Sequence, residues 1–161
     1  MNKALIIYYS AQGHTKKIAE QIAANLQADL FEITPKQKYT EKDLDWTKDN
    51  SRASREFANE SKRDIELATT DIPNWSDYDT ILIGYPIWWG ISAWPVNSFV
   101  KAQDFSNKTV IPFCVSHSSD LGDSAKLLQQ DANTGNWAEG HRFYQDASPN
   151  DIKSWTDSLT I

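Results

Sequence analysis

The chain is short of several things that whole classes of protein require. It has one cysteine, Cys114, so no internal disulfide can form. Its setting, Val110-Ile111-Pro112-Phe113-Cys114-Val115, reads as a buried strand and an inert core thiol. Three histidines, His14, His117 and His141, are too scattered for a metal-ligand spacing, so no metal is expected. Basic residues do not prevail. Sixteen Lys and Arg against 22 Asp and Glu leave a net charge of −6, which provides no basic patch for nucleic acid. No apolar run is long enough to span a bilayer. Met1-Asn2-Lys3 leads straight into a strand pattern without a signal-peptide layout, so a cytoplasmic location is expected. Repeats, low-complexity tracts and linkers are all absent. A single domain over residues 1–161 is therefore expected, long enough to enclose a core. Glycine is also sparse near the N-terminus. GxxxxGK[ST] and GxGxxG need closely spaced glycines, and Gly13 stands alone.

What the chain does have begins at its first strand. Ala4-Leu5-Ile6-Ile7-Tyr8-Tyr9 is a short apolar run suited to a buried strand. Ser10-Ala11-Gln12-Gly13-His14-Thr15 breaks it with a small polar loop. From Lys16 to Gln27, Ile18, Ile22 and Leu26 fall at helical spacing. Strand, polar loop and helix start in that order make a natural anion site. The first helical N–H groups lack partners, and the macrodipole favours negative charge there. Ser10 and Thr15 offer hydroxyls to a phosphate, and either is placed to cap the helix. No lysine stands in the loop, which suits a phosphate that is held and not transferred.

The same alternation continues. Asp29 to Ile33 reads as a second strand, Thr80 to Tyr85 as a third and Thr109 to Val115 as a fourth. The fifth falls near Trp137 to Phe143. Helices are expected over Ser51–Lys62 with Ser51 as N-cap, from Pro95, over Ser124–Gln130, and from Pro149 with Ile152, Trp155 and Leu159 as its stripe. The polar region Lys36–Thr70 reads mainly as solvated surface. Strands alternating with helices imply an α/β fold, a doubly wound five-stranded parallel sheet with helices on both faces. Ligands of such folds sit beyond the carboxyl ends of the strands.

Three loops leave those ends: Ser10–Thr15, Pro86–Trp94 and Ser116–Gly122. The second contains Pro86, Ile87, Trp88, Trp89 and Gly90, and so carries two of the chain's seven tryptophans side by side. They lie off any periodic face, so at least one is expected to meet a ligand. Trp75, Trp137 and Trp155 read as core. The third loop, with Ser116, His117, Ser118 and Gly122, offers hydroxyls and backbone groups to a polar ring edge. A phosphate, a flat ring on tryptophan and a polar edge describe a mononucleotide with a conjugated ring. Flavin mononucleotide (FMN) meets all three demands.

Across nearly the whole chain these residues resemble the flavodoxins. Ser10-Ala11-Gln12-Gly13-His14-Thr15 is similar to that family's phosphate loop, [ST]-x-[ST]-G-x-T, with Gln12 where a hydroxyl is usual. Gly84-Tyr85-Pro86-Ile87-Trp88-Trp89-Gly90 resembles the isoalloxazine loop of a bacterial subgroup. Tyr39, Asp43-Leu44, Trp46 and Ser51-Arg52 are similar to that subgroup's region after the second strand. The resemblance implies strand order 2-1-3-4-5 and non-covalent FMN. It also implies low-potential electron transfer between a reductase and an acceptor protein, by a monomer or weak dimer. The chain departs from the pattern at Ser116-His117-Ser118-Ser119-Asp120, where the subgroup often has Ser-Gly-Ser-Ser-Gly. No tyrosine is present there to cover the outer flavin face. An FMN-dependent NAD(P)H:quinone-type oxidoreductase is therefore the alternative expectation. Asp120 and Asp123 are expected nearest the ring. Gly90 is expected to let a peptide carbonyl turn towards flavin N5, because glycine tolerates positive φ.

Overall fold

A computed structural model of the chain describes residues 3–161. Its centre is a parallel sheet. The first strand, β1 (Ala4–Tyr8), is buried along its whole length. It pairs in parallel with β2 (Asp29–Glu32) on one side and with β3 (Thr80–Trp88) on the other. Next to β3 lies β5 (Thr109–Ser116), also parallel. Beyond β5 come two short strands, β6 (Asn136–Trp137) and β7 (His141–Tyr144). Together they fill the place of the expected fifth strand, so the order is the expected 2-1-3-4-5 with its last member in two pieces.

Pro112 explains the break. It sits in β5 between the residues that pair with β6 and those that pair with β7, and it has no N–H to give a neighbour. Ala138 still donates to the Val110 carbonyl at 2.8 Å, after which the chain steps past Pro112 and rejoins the sheet at His141.

Side-chain alternation along the strands divides the core into two layers. Leu5, Ile7, Ile81, Ile83, Tyr85, Val110 and Cys114 face α3 (Trp94–Lys101) and α4 (Ser124–Ala132). Ile6, Tyr8, Leu82, Phe113 and Val115 face α1 (His14–Leu26) and α5 (Pro149–Ser158). Each helix supplies its apolar stripe: Val96, Phe99 and Val100 from α3, and Ile18, Ile22 and Ile152 from α1 and α5. Cys114 is fully buried, and burial pushes its thiol up to about 12, consistent with an inert core residue. Trp75, Trp137 and Trp155 pack against these layers, and Trp94 is buried outright.

Several boundaries differ from those read in the sequence, three of them with consequences for the site. The segment Pro86–Trp94 is not a plain loop. β3 continues through Pro86, Ile87 and Trp88, turns over Trp89 and Gly90, and returns as β4 (Ile91–Ser92), which pairs antiparallel to it. Trp89 and Gly90 both have positive φ, 48° and 82°, as a two-residue type I′ hairpin requires. α1 starts at His14, two residues early, with Gly13 as N-cap at φ 93°. The helix Arg52–Ala58 (α2) has Ser51 as N-cap, but it ends at Ala58 and is followed by a short 3-10 turn, Glu60–Arg63. This polar region is more than a solvated surface, because it buries Ala53, Glu56 and Ile65 beside Trp94. Among the described residues no helix is long and apolar enough to cross a membrane, and no acidic, histidine or cysteine group is placed to hold a metal ion.

The tightest point of the sheet is Gly84, in the middle of β3. A Cβ added there would lie 2.2 Å from Cζ of Phe113 on the neighbouring strand. Gly84→Ala is expected to lower unfolding free energy by about 1–3 kcal/mol through overpacking. Urea denaturation followed by circular dichroism measures it as a lower midpoint with an unchanged slope.

Candidate functional site: a cleft at the carboxyl edge of the sheet

Because β1, β3 and β5 run in parallel, the segments that follow them emerge at one edge. They meet there around a cavity of about 720 Å³. Ser10, Gln12, His14 and Thr15 line it after β1. Pro86, Ile87, Trp88 and Trp89 line it from the hairpin, and Ser116, His117 and Ser118 line it after β5. Three residues expected at the site do not line the cavity and serve its backbone. Gly13 is the N-cap of α1. Gly90 completes the hairpin turn. Gly122, at φ 54°, lies against that turn, where a Cβ would stand 3.6 Å from the Gly90 carbonyl oxygen.

The α1 end is built to accept an anion. Ser10 Oγ accepts from the Gly13 N–H at 3.1 Å and fixes the loop. The first intrahelical bond runs from the Lys17 N–H to the Gly13 carbonyl, so the N–H groups of His14, Thr15 and Lys16 have no carbonyl within the helix. Thr15 is not a cap. It lies buried in the first turn, lining the cleft. The cleft lining contains no carboxylate, lysine or arginine. Its polar groups are hydroxyls, amides and two imidazoles, a set that can bond a phosphate without repelling it. Asp120 and Asp123, expected nearest the ring, are both outside the lining.

The aromatic wall is held from below. Trp88 makes edge contacts with Tyr9, Tyr39 and Trp94 at centroid distances of 5.7, 5.1 and 4.9 Å. Trp89 instead stacks face to face on Phe57 at 4.7 Å and on Trp94 at 5.7 Å. Those stacks support a bulky side chain on a left-handed backbone, a conformation that costs about 1–2 kcal/mol without glycine. Two of these supports, Tyr39 and Trp94, meet at Glu56, buried on α2. Its Oε1 accepts from the Tyr39 hydroxyl at 2.5 Å and from Trp94 Nε1 at 2.9 Å, and its Oε2 from Arg52 Nε at 3.2 Å. The Arg52 guanidinium also covers the Tyr39 ring, 3.7 Å from its centroid. Burial, and then the bond to Glu56, raises the Tyr39 phenol well above its usual range, so it remains a neutral donor.

Several lining residues were not among those expected at the site. Leu44 and Trp46 reach the cleft from the segment after β2, Ser119 from the third loop, and Gln145 from the end of β7. Trp46 is 73% exposed. It follows a turn closed by reciprocal bonds between Thr40 and Asp43, and Asp43 accepts from the Ala53 N–H at 2.9 Å. The signal that flagged Trp88 and Trp89, a tryptophan off any periodic face, applies to Trp46 as well. Gln145 follows a strand at the carboxyl edge and was open to the same topological argument.

A family model for flavodoxins matches residues 3–159. The chain belongs to the flavodoxin family. It is 37% identical to a candidate flavoprotein from Bacteroides uniformis, covering 98% of this chain and 99% of that one at a TM-score of 0.89. A candidate flavoprotein from Bacteroides eggerthii is 35% identical, over 100% and 99% of the two chains, at a TM-score of 0.88. A Lactobacillus acidophilus flavoprotein solved in complex with FMN is 25% identical, over 97% and 99%, at a TM-score of 0.70. No match is found among curated proteins. In this flavodoxin the segment Ser10–Thr15 and the hairpin after β3 converge on one cleft, as the strand order requires.

Removing Glu56 tests the support under the aromatic wall. Glu56→Ala leaves Arg52 without its partner and the Trp94 N–H without an acceptor, and is expected to cost about 3–5 kcal/mol. Glu56→Gln keeps one acceptor and is expected to cost less. Thermal unfolding of the two variants ranks them.

Proposed function

We propose that the cleft binds FMN non-covalently and that the protein carries electrons at low potential between a reductase and an acceptor protein. One observation carries the reading. A helix start with free N–H groups, a tryptophan hairpin and a hydroxyl-rich loop line a single cavity of about 720 Å³ that holds no carboxylate. The donor set fits the cofactor, and a family member of 25% identity was solved with FMN bound. In this assignment Ser10, Gln12, Gly13, His14 and Thr15 hold the phosphate. Pro86, Ile87, Trp88, Trp89 and Gly90 form the ring wall. Ser116, His117, Ser118 and Gly122 close the polar edge.

Bound FMN supplies one- and two-electron redox chemistry. The chain's residues bind and orient it. The N–H groups at the start of α1 and the hydroxyls of Ser10 and Thr15 donate to and stabilise a phosphate dianion. Trp89 already has two stacked partners, so Trp88 is assigned as the ring-stacking residue. Gly90, at φ 82°, gives the hairpin peptide the freedom to present a carbonyl to a ring N–H. A net charge of −6 works against negative charge gained in the cleft, which favours a low potential.

A second function, an NAD(P)H:quinone-type oxidoreductase, is favoured by one feature. A second hollow of about 830 Å³ adjoins the cleft, sharing Gln12, His14, Leu44 and Trp46 and reaching Tyr39, Glu41, Lys42 and Asp45. It offers room beside the cofactor for another ligand.

Fluorescence titration of the apoprotein with FMN and riboflavin tests the binding assignment. FMN is expected to bind at least tenfold more tightly, because riboflavin lacks the phosphate. Ser10→Ala and Thr15→Val should each weaken FMN by roughly 1.5–3 kcal/mol and leave riboflavin unchanged. Equal affinity for the two ligands would contradict the assignment. Steady NAD(P)H oxidation by the FMN-loaded protein above that of free FMN would favour the enzyme, and its absence the carrier.

A further inference from the structure

Arg142, on β7, is half-buried, and one nitrogen of its guanidinium is shut off from solvent without a partner. Its Nη2 is the single buried side-chain polar atom without a hydrogen-bond partner among the described residues. The Nε donates to Ser116 Oγ at 2.9 Å, and the guanidinium lies 3.6 Å from the centroid of the Tyr144 ring. Ser116 in turn donates to the Ser119 carbonyl. Both serines line the cleft. Arg142 therefore stands one hydroxyl behind the polar edge of the cavity.

No carboxylate among the described residues pairs with it directly at ion-pair distance, whereas Arg52, beneath the aromatic wall, is paired with Glu56. Arg142 faces Cys114 across the β5–β7 pairing, and Asp120 also acts on that thiol, with the opposite sign. A partly desolvated cation with an unmet donor is costly to keep, and its field is screened far less than that of a surface charge.

We propose that Arg142 is a positioning residue for the ring-binding end of the cleft. It fixes the Ser116 hydroxyl and Ser119 carbonyl, and it places behind them a positive charge that stabilises negative charge gained by the cofactor. The proposal rests on the FMN assignment above. It means that the potential is raised locally at this end against the acidic surface. A purely structural Arg142, joining β7 to β5, would have no such effect on the potential.

Potentiometric titration of the FMN-loaded protein separates the two roles. Arg142→Gln keeps an amide donor for Ser116 and removes the charge, and Arg142→Met serves as a second neutral variant. Either neutral variant is expected to bind reduced FMN at least tenfold more weakly relative to oxidised FMN. That corresponds to a fall of about 30 mV in a two-electron midpoint. Affinity for oxidised FMN should stay within threefold in Arg142→Gln, which keeps the donor, and Arg142→Lys should restore the midpoint. An unchanged midpoint in the neutral variants, or an equal fall in Arg142→Lys, would overturn the proposal alone. Failure of the unaltered protein to retain FMN would overturn the cofactor assignment and this proposal with it.

Discussion

Parallel pairing of β3 between β1 and β5 is the constraint on which the site depends. Parallel strands send their carboxyl ends to one edge, so three segments far apart in sequence are delivered to one place. The pairing is held at close quarters. Phe113 packs where Gly84 has no side chain, and both faces of the sheet are buried under helices. The cleft is thus a by-product of the sheet's direction. Its chemistry comes from what the sequence places just after each strand.

The aromatic wall depends on a second, polar constraint. A hairpin carrying two tryptophans, one on a left-handed backbone, has no reason to hold its shape in water. Here it is fixed from two sides: Trp94 at its exit and Tyr39 beside it both donate to Glu56. Arg52 balances the carboxylate, so the buried charge is paired and its oxygens are occupied. The arrangement spends the polar groups of α2 on rigidity and leaves the cleft lining free of fixed charge. The cleft can then accept a dianion at one end and a flat ring at the other. Arg142 adds a single cation from outside the lining.

Much of this was legible in the sequence, for identifiable reasons. The apolar runs at Ala4, Thr80 and Thr109 and the helical stripes read directly into a parallel α/β sheet, because burial on both faces demands such runs. The three loops could be named because topology fixes which strand ends share an edge. The hairpin lies within what reads as a loop after a strand ending at Tyr85, because its turn is set by φ at Trp89 and Gly90 and not by a marked turn sequence. Glu56 was hidden because a helix with one large apolar residue looks superficial. Its burial depends on Tyr39 and Trp94, which are distant in sequence. Trp46 and Gln145 carry signals that were legible, a tryptophan off any periodic face and a residue just past a strand at the carboxyl edge, but both lie outside the three loops to which those signals were applied. The break in the fifth strand follows from Pro112, which lies on a different strand from the one it interrupts.

The central claim is that α1 begins at the phosphate of a bound FMN, and phosphorus NMR of the loaded protein reads that atom directly. A free phosphate monoester gains its second charge near pH 6. The account predicts that the bound phosphorus resonance holds the dianion position and does not titrate between about pH 5.5 and 8, because the N–H groups of α1 favour the doubly charged form. A bound resonance that titrates near pH 6, as in free FMN, would contradict it.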